Sequence, residues 1–257
     1  MIFLKCIWHI KVVTICLWKN LAYITTYLDK INEWTNNHKM IILEKKTKVM
    51  LFNFTDNYQF TTRLQLKGSN VEVVDQMKIL GTIVTDKLTW DNNCSQLIRK
   101  VNSRMQLLRG VQSFGASHKE MVHLWILFCR SILEQSCVVW GTSLSLENID
   151  NLERTQKTFT KLVLKEKYKD YENVQIILNL DSLQKRRQNL CLKFAKNGIK
   201  NNTLNDLFPK NEKQHKMETR ETPKYKVNFA NTDRMKNSSI IAMQNMLNEE
   251  KETKITS

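Results

Sequence analysis

Two patterns of apolar spacing divide this chain near residue 89. Before that point, one helical segment at 23–37 is followed by short apolar runs with glycine or asparagine turns, at 48–54, 61–67, 71–74 and 77–85. After it, apolar residues recur every three or four positions, as they do in amphipathic helices. The pattern predicts an α+β fold: a small antiparallel sheet with one helix over 24–88, a predominantly helical bundle over 89–199, and a flexible tail over 200–257.

The helical part contains clear start and stop signals. A first helix, with Leu97, Val101, Met105 and Leu108 on one face, is expected to end near Gly110. Ser117 and Glu120 form a capping-box signature, which predicts a second helix from there to Trp140. That helix is apolar nearly all round, so we expect it to be central and buried. Further helices are predicted at 146–164, 172–178 and 181–198, with a short one at 239–247.

Residues 1–23 form a divergent apolar leader. Lys5, Lys11 and Lys19 interrupt it, and charges this frequent are costly at the centre of a bilayer. The order of charged, apolar and small residues also differs from that of a secretory signal. The sequence therefore does not favour a membrane anchor, and the role of the leader stays open.

Composition adds a strong charge bias. The formal net charge is +15, which predicts attraction to polyanions such as nucleic acid or an anionic membrane surface, although a solvated basic surface without a partner has the same composition. The six cysteines include no CxxC pair and no histidine at zinc-finger spacing, so we expect reduced thiols in an intracellular protein, in nucleus or cytoplasm. Hydrolase, P-loop and metalloprotease motifs are lacking, so no small-molecule substrate is indicated.

The order of several short motifs carries a family resemblance. They are, in chain order, Leu28–Trp34, Lys45–Phe52, Lys78–Gly81, Leu88–Trp90, Leu133–Trp140, Leu152–Gln156, and Leu183 with Arg186, Arg187 and Phe194. Together they resemble the C-terminal part of a jockey-like non-LTR retrotransposon reverse transcriptase, from the end of the palm through the thumb to the helical region beyond. The chain departs from the family at Leu43, where asparagine is usual, and at Asn93, where histidine is usual.

The resemblance implies an RNA-directed DNA polymerase of a transposable element, which needs two Mg²⁺ ions held by carboxylates. The family supplies these carboxylates from an early strand and from an aromatic-Ala-Asp-Asp turn. Here the first acidic residue is Asp29, which matches a position beyond that turn, and no Asp-Asp pair occurs. We therefore expect a truncated, catalytically incomplete protein that is not an enzyme as it stands and holds no cofactor. A mis-assembled gene sequence of an active enzyme is an open alternative.

Two acid-free basic stretches, 92–119 and 182–205, are candidates for non-specific binding of DNA or RNA phosphates. The candidate residues are Arg99, Lys100, Arg104, Arg109, Lys185, Arg186 and Arg187, with Lys46 added by the resemblance. A decayed or protein-interaction module is the alternative, because the strand block at 77–85 would expose apolar surface without the rest of a palm. The sequence gives no oligomeric state.

Overall fold

The computed structural model describes residues 21–40, 42, 47–52, 54, 64–66, 68–211 and 223–255. The chain divides into two compact units, Met1–Thr89 and Trp90–Ser257, so the division falls beside the predicted change of pattern. Helices dominate and the strands are short, which confirms the α+β, mostly helical class.

The first unit contains one helix, α1 (Leu21–Asn37), and six short strands. The strands are β1 (Lys48–Val49), β2 (Gln65–Leu66), β3 (Ser69–Asn70), β4 (Glu72–Val73), β5 (Gln76–Ile79) and β6 (Thr82–Thr85). They form three separate two-stranded pairs: β2 with β3 and β5 with β6 are antiparallel, as predicted, whereas β1 and β4 are parallel. A small apolar cluster lies between α1 and these strands, formed by Leu28, Ile42, Leu64, Leu66 and Val71.

Turns account for the differences between the predicted and observed strands. Gly68 adopts a φ of +79°, so the turn precedes Ser69 and Asn70, which were predicted as turn residues and instead form β3. The run 77–85 was predicted as one strand, but Leu80 and Gly81 both have positive φ and reverse the chain between β5 and β6. Apolar spacing missed this turn because a residue like leucine rarely adopts that conformation.

The second unit begins with α2 (Asp91–Ser113), which continues through Gly110 rather than ending there.

The predicted capping box is confirmed: the Glu120 amide donates to Ser117 Oγ, and the Ser117 amide donates to Glu120 Oε2. The predicted helix up to Trp140 is interrupted. It consists of α3 (His118–Leu124), a π-helical segment (Trp125–Arg130), α4 (Ser131–Leu133) and α5 (Cys137–Trp140).

This interrupted helix is not buried all round, which corrects the prediction. Its buried residues recur every four positions, at Met121, Trp125, Cys129 and Leu133. Leu127 and Phe128 are half exposed, at 51% and 50%. One face therefore enters the core, where the Trp125 ring stacks on Phe159 with centroids 4.5 Å apart, and another face meets solvent.

The next helices lie close to their predicted positions. These are α6 (Leu146–Leu164), α7 (Tyr171–Leu178) and α8 (Leu183–Lys200). Helix α9 (Asp233–Lys236) was not predicted, and α10 (Ser239–Ile255) begins where the short helix was expected and extends beyond it. No helix within the described residues is long and apolar enough to cross a membrane, and leader residues 1–20 lie outside them.

Residues 201–211 and 223–250 differ from the predicted flexible tail. Phe208, Tyr225, Met243 and Leu247 are buried and pack with Cys191 and Ala195 of α8. A Cβ on Gly198 would lie only 2.8 Å from the Phe208 ring, so the glycine lets this ring approach α8 closely. The bundle thus continues past residue 199, because four widely spaced apolar residues are enough to fix segments whose composition is polar.

Candidate nucleic-acid interface

The basic residues of α2 do not form one stripe. Arg99, Arg104 and Arg109 are exposed and Lys100 is half-buried. At about 100° per residue, Arg99 and Arg109 are about 80° apart around the helix, and Arg104 lies about 140° from each. Arg104 points towards the neighbouring π-helical segment, where its Nη1 donates to the Phe128 carbonyl over 2.7 Å. Arg99 and Arg109 therefore share a side of α2 that Arg104 does not.

Helices α2 and α6 lie side by side and run in the same direction. At their N-terminal ends, Asn148 Nδ2 donates to Asp91 Oδ1 over 2.7 Å. Near their C-terminal ends, Gln112 Nε2 donates to the Leu162 carbonyl over 2.6 Å. These two contacts fix a parallel pair whose buried sides face the same core.

The outward side of α6 carries a second set of cations. Arg154, Lys157 and Lys161 follow a helical spacing of three and four residues, and Arg154 and Lys161 are exposed. Lys157 Nζ lies 5.0 Å from the Tyr171 ring centroid, and Lys161 Nζ lies 5.4 Å from that of Tyr168. These cation–π contacts orient the ammonium groups without neutralising their charge.

The sequence prediction missed these cations because Glu153 stands beside them. Glu153 is buried, so it removes no charge from the surface that Arg154 and Lys161 form. The signal was available in the sequence: Glu153 falls on the apolar side of the α6 pattern and the basic residues fall on the other side. A prediction from acid-free stretches ignores the side of the helix on which each acid lies.

The outward sides of these two adjacent helices form one surface, here called the α2–α6 basic face. Its members are Arg99, Arg109, Arg154, Lys157 and Lys161. Arg109 and Lys161 both lie within a turn of the Gln112–Leu162 contact, so they stand at the same level along the pair. The acids Asp91, Glu147 and Asp150 lie in the N-terminal turns of the two helices. The exposed charges on the rest of the face are therefore positive.

The second predicted site, on α8, is changed by the structure. Arg186 forms two hydrogen bonds with Glu134, from Nε over 2.8 Å and from Nη2 over 3.0 Å. Lys185 Nζ lies 2.8 Å from Asp181 Oδ1. Arg187 is only 3% exposed, so its guanidinium is out of reach of a phosphate. Arg187 is therefore removed from the candidate interface, and Arg186 has a structural partner.

A buried polar junction lies at the N-terminus of α8. Glu153 Oε1 accepts from the Gln184 amide over 2.7 Å, and Oε2 accepts from the Tyr171 hydroxyl over 2.9 Å. Gln156 Nε2 donates to the Tyr171 hydroxyl and to the Asp181 carbonyl, each over 2.9 Å. Burial, with the negative charge of Glu153, raises the pKa of Tyr171 far above its usual value. The junction ties α6 and α7 to the N-terminus of α8.

Arg187 lies beside this junction among buried thiols. Burial lowers the pKa of Arg187, and Glu153 opposes that shift. Burial raises the pKa of Cys94 and Cys137 to about 12 and that of Cys191 to about 11, with Arg187 opposing each shift. These thiols are protonated at neutral pH, so they are neither nucleophiles nor ready metal ligands. Within the described residues, no group of three or more His, Cys, Asp or Glu side chains is placed to hold a metal ion.

Two further predictions concern other parts of the first unit. Lys46, the residue added by the family resemblance, lies outside the described residues. The strand block at 77–85 has Leu80 60% exposed at its turn, while Met77, Ile79, Ile83 and Val84 are of intermediate exposure. This hairpin shows a modest apolar surface and no cluster of charged groups.

Comparison of the chain with models of known protein families, with curated proteins and with solved structures finds no match.

Proposed function

We propose that this chain is a reverse-transcriptase-like module of retrotransposon origin that binds DNA or RNA non-specifically and does not itself extend a primer. The ordered motifs along the sequence support the origin, and the lack of an Asp-Asp pair in the sequence supports binding without synthesis. The observation that carries the binding part is the α2–α6 basic face.

The basic face suits phosphate binding because four of its five cations are exposed, all but the half-buried Lys157, and because they come from two neighbouring helices. Phosphate contacts of this kind give affinity without sequence preference. The axes of packed helices are usually about 8–10 Å apart, so cations from both helices can contact the same phosphate backbone. A backbone of phosphates can follow such a surface without any side chain entering a groove.

The binding test is a salt titration with a labelled DNA duplex and a matching RNA–DNA hybrid, read by fluorescence anisotropy. We expect affinity to fall steeply between about 50 and 200 mM salt, with a similar slope for both ligands. The variant Arg99→Ala/Arg109→Ala/Lys161→Ala should lower the slope of log K against log salt by about 0.9 for each phosphate that the protein no longer neutralises.

The matched control is Lys210→Ala/Lys224→Ala/Lys226→Ala, which removes the same charge from positions outside the face. Its slope should change by much less than that of the triple variant in α2 and α6. Equal effects of the two variants, or binding that ignores salt, would contradict the proposed interface. Primer extension by the purified chain with Mg²⁺ or Mn²⁺ would contradict the non-catalytic part and leave the binding result standing.

A protein-interaction role is the second candidate. The observation that favours it is on α2 rather than on the strand block: large apolar side chains are exposed there beside the basic face.

A further inference from the structure

Helix α2 carries an exposed apolar stripe. Leu107, Val111 and Phe114 are 70%, 37% and 92% exposed. They fall within about 60° of arc around the helix, separate from the arc that holds Arg99 and Arg109. Scattered surface leucines need no explanation, but a row along one helix indicates a surface that is covered in use.

The stripe continues onto the neighbouring helical segment. Four residues join α2 to α3. Arg104 and Phe128, which lie about ten residues before and after this connection, are joined by the hydrogen bond from Arg104 to the Phe128 carbonyl. The two segments therefore form an antiparallel helical hairpin. Leu107 is one turn closer to the connection than Arg104 and therefore stands near the level of Leu124, one turn before Phe128. The apolar hairpin face comprises Leu107, Val111, Phe114, Leu127 and Phe128.

The face has cations at one end and Glu120 at the other; Lys119 is also exposed at that second end but points about 100° away from Glu120 around α3. Lys100 and Arg104 lie at the end nearer the N-terminus of α2. Glu120 lies towards the other end, at about the level of Gln112 and roughly 12 Å from the level of Arg104. Hydrogen bonds from the Ser117 hydroxyl and amide lower the pKa of Glu120, which keeps it a carboxylate. A surface with opposite charges at its two ends is complementary to itself when one copy is reversed.

We propose that the apolar hairpin face binds a second copy of this chain about a two-fold axis perpendicular to α2 near Leu107. The two α2 helices are antiparallel, so Arg104 of each copy faces Glu120 of the other, and Leu107 and Val111 pack across the axis between them. A two-fold contact uses the same patch on both copies, as this arrangement does. Parallel pairing would set cations against cations. The dimer does not depend on nucleic acid.

Sedimentation equilibrium of the full chain without nucleic acid tests the dimer. We expect a reversible monomer–dimer equilibrium that persists at high salt, because apolar burial holds it and salt screens the repulsion between two chains of +15. Leu107→Glu should weaken dimerisation at least tenfold, because it places two carboxylates beside the axis. Ile176→Glu is the matched control, since Ile176 is 78% exposed on α7, and it should leave the equilibrium unchanged.

Cross-linking tests the symmetry. In a background with Cys6→Ser and Cys16→Ser, Leu107→Cys should form a disulfide with its own copy under an added mild oxidant, because the axis passes near this position. The cysteines at 94, 129, 137 and 191 are buried, and Ile176→Cys should remain unlinked. A monomer at all concentrations, a dimer unaffected by Leu107→Glu, or a dimer that Leu107→Cys does not cross-link would each overturn the proposal. Binding of a persistent monomer to lipid vesicles or to another protein would overturn it too.

Discussion

Helices α2 and α8 look alike in the sequence and behave differently in the structure. Both lie in acid-free stretches with several arginines and lysines. Helix α2 keeps Arg99 and Arg109 on its exposed side, whereas α8 pairs Arg186 with Glu134 and buries Arg187. Glu134 is 52 positions away along the chain, so local sequence could not reveal it as a partner. A missing local acid therefore says little about whether a cation meets solvent.

The position of each helix in the bundle accounts for the difference. Helix α8 packs against α5, α6 and α10, and its N-terminus receives the buried Glu153 carboxylate. A cation turned inward there has a negative charge nearby. Helix α2 meets α6 on one side and its hairpin neighbours on another, which leaves a broad arc open to solvent. Basic helices thus become candidate interfaces only where packing leaves an arc uncovered.

The variant Arg187→Ala is expected to have the largest effect, and it tests whether the cations of α8 are buried. Removing this buried side chain opens a cavity beside Gly141, where an added Cβ would lie 3.3 Å from Arg187 Cδ. We expect the free energy of unfolding to fall by about 2 kcal/mol, the lower end of the range for truncating a large buried side chain. Urea denaturation followed by circular dichroism measures it.

Lys193→Ala provides the matched control on the same helix, because Lys193 is exposed. It should change the free energy of unfolding by no more than about 0.5 kcal/mol, as is usual for an exposed surface position. If Arg187→Ala were as mild as Lys193→Ala, the buried position of Arg187 would be wrong and α8 would return as a candidate interface.

The loss of stability at alkaline pH tests whether the cysteines on the inner sides of α2 and α8 are buried. Burial raises the pKa of Cys94 in α2 to about 12 and that of Cys191 in α8 to about 11. It also raises the pKa of Cys129 to about 11 and that of Cys137 to about 12. A thiol in the unfolded chain titrates near about 8.5. The unfolded state therefore loses these protons first, so stability is full below that pH and declines as the pH rises towards 11–12.

Urea midpoints measured from neutral pH upward should show this decline. In a Cys6→Ser/Cys16→Ser background, a thiol reagent at pH 8 should react slowly with the native protein and with all four remaining cysteines after unfolding. Fast reaction of the native protein would show that one of these thiols is not buried, contrary to the core described above.

The sequence predicted the helices better than it predicted their surfaces. Apolar periodicity placed α6 and α8 closely, and the Ser117–Glu120 signature placed the start of α3, because both signals are local. In the tail, the helix beginning at Ser239 was predicted but its packing was not, since Phe208 and Met243 acquire their packing partners only in the folded chain. Of the proposed α2–α6 basic face, the sequence indicated Arg99 and Arg109, which stay predictions, whereas Arg154 and Lys161 were hidden by Glu153, whose burial depends on distant α7 and α8.

The smallest effects on the free energy of unfolding are expected for Arg186 and Lys185, the two cations at the start of α8 that lie nearer the surface. Arg186 and Glu134 are 29% and 15% exposed and share two hydrogen bonds, so Arg186→Ala should cost about 1 kcal/mol of unfolding free energy. Lys185 and Asp181 are 64% and 42% exposed, and Lys185→Ala should cost no more than about 0.3 kcal/mol. Neither change should alter the salt slope of nucleic-acid binding as the α2–α6 triple variant does. A drop in that slope for Lys185→Ala would mean that α8 also meets phosphates, and the contrast between the two helices would then lie in stability alone.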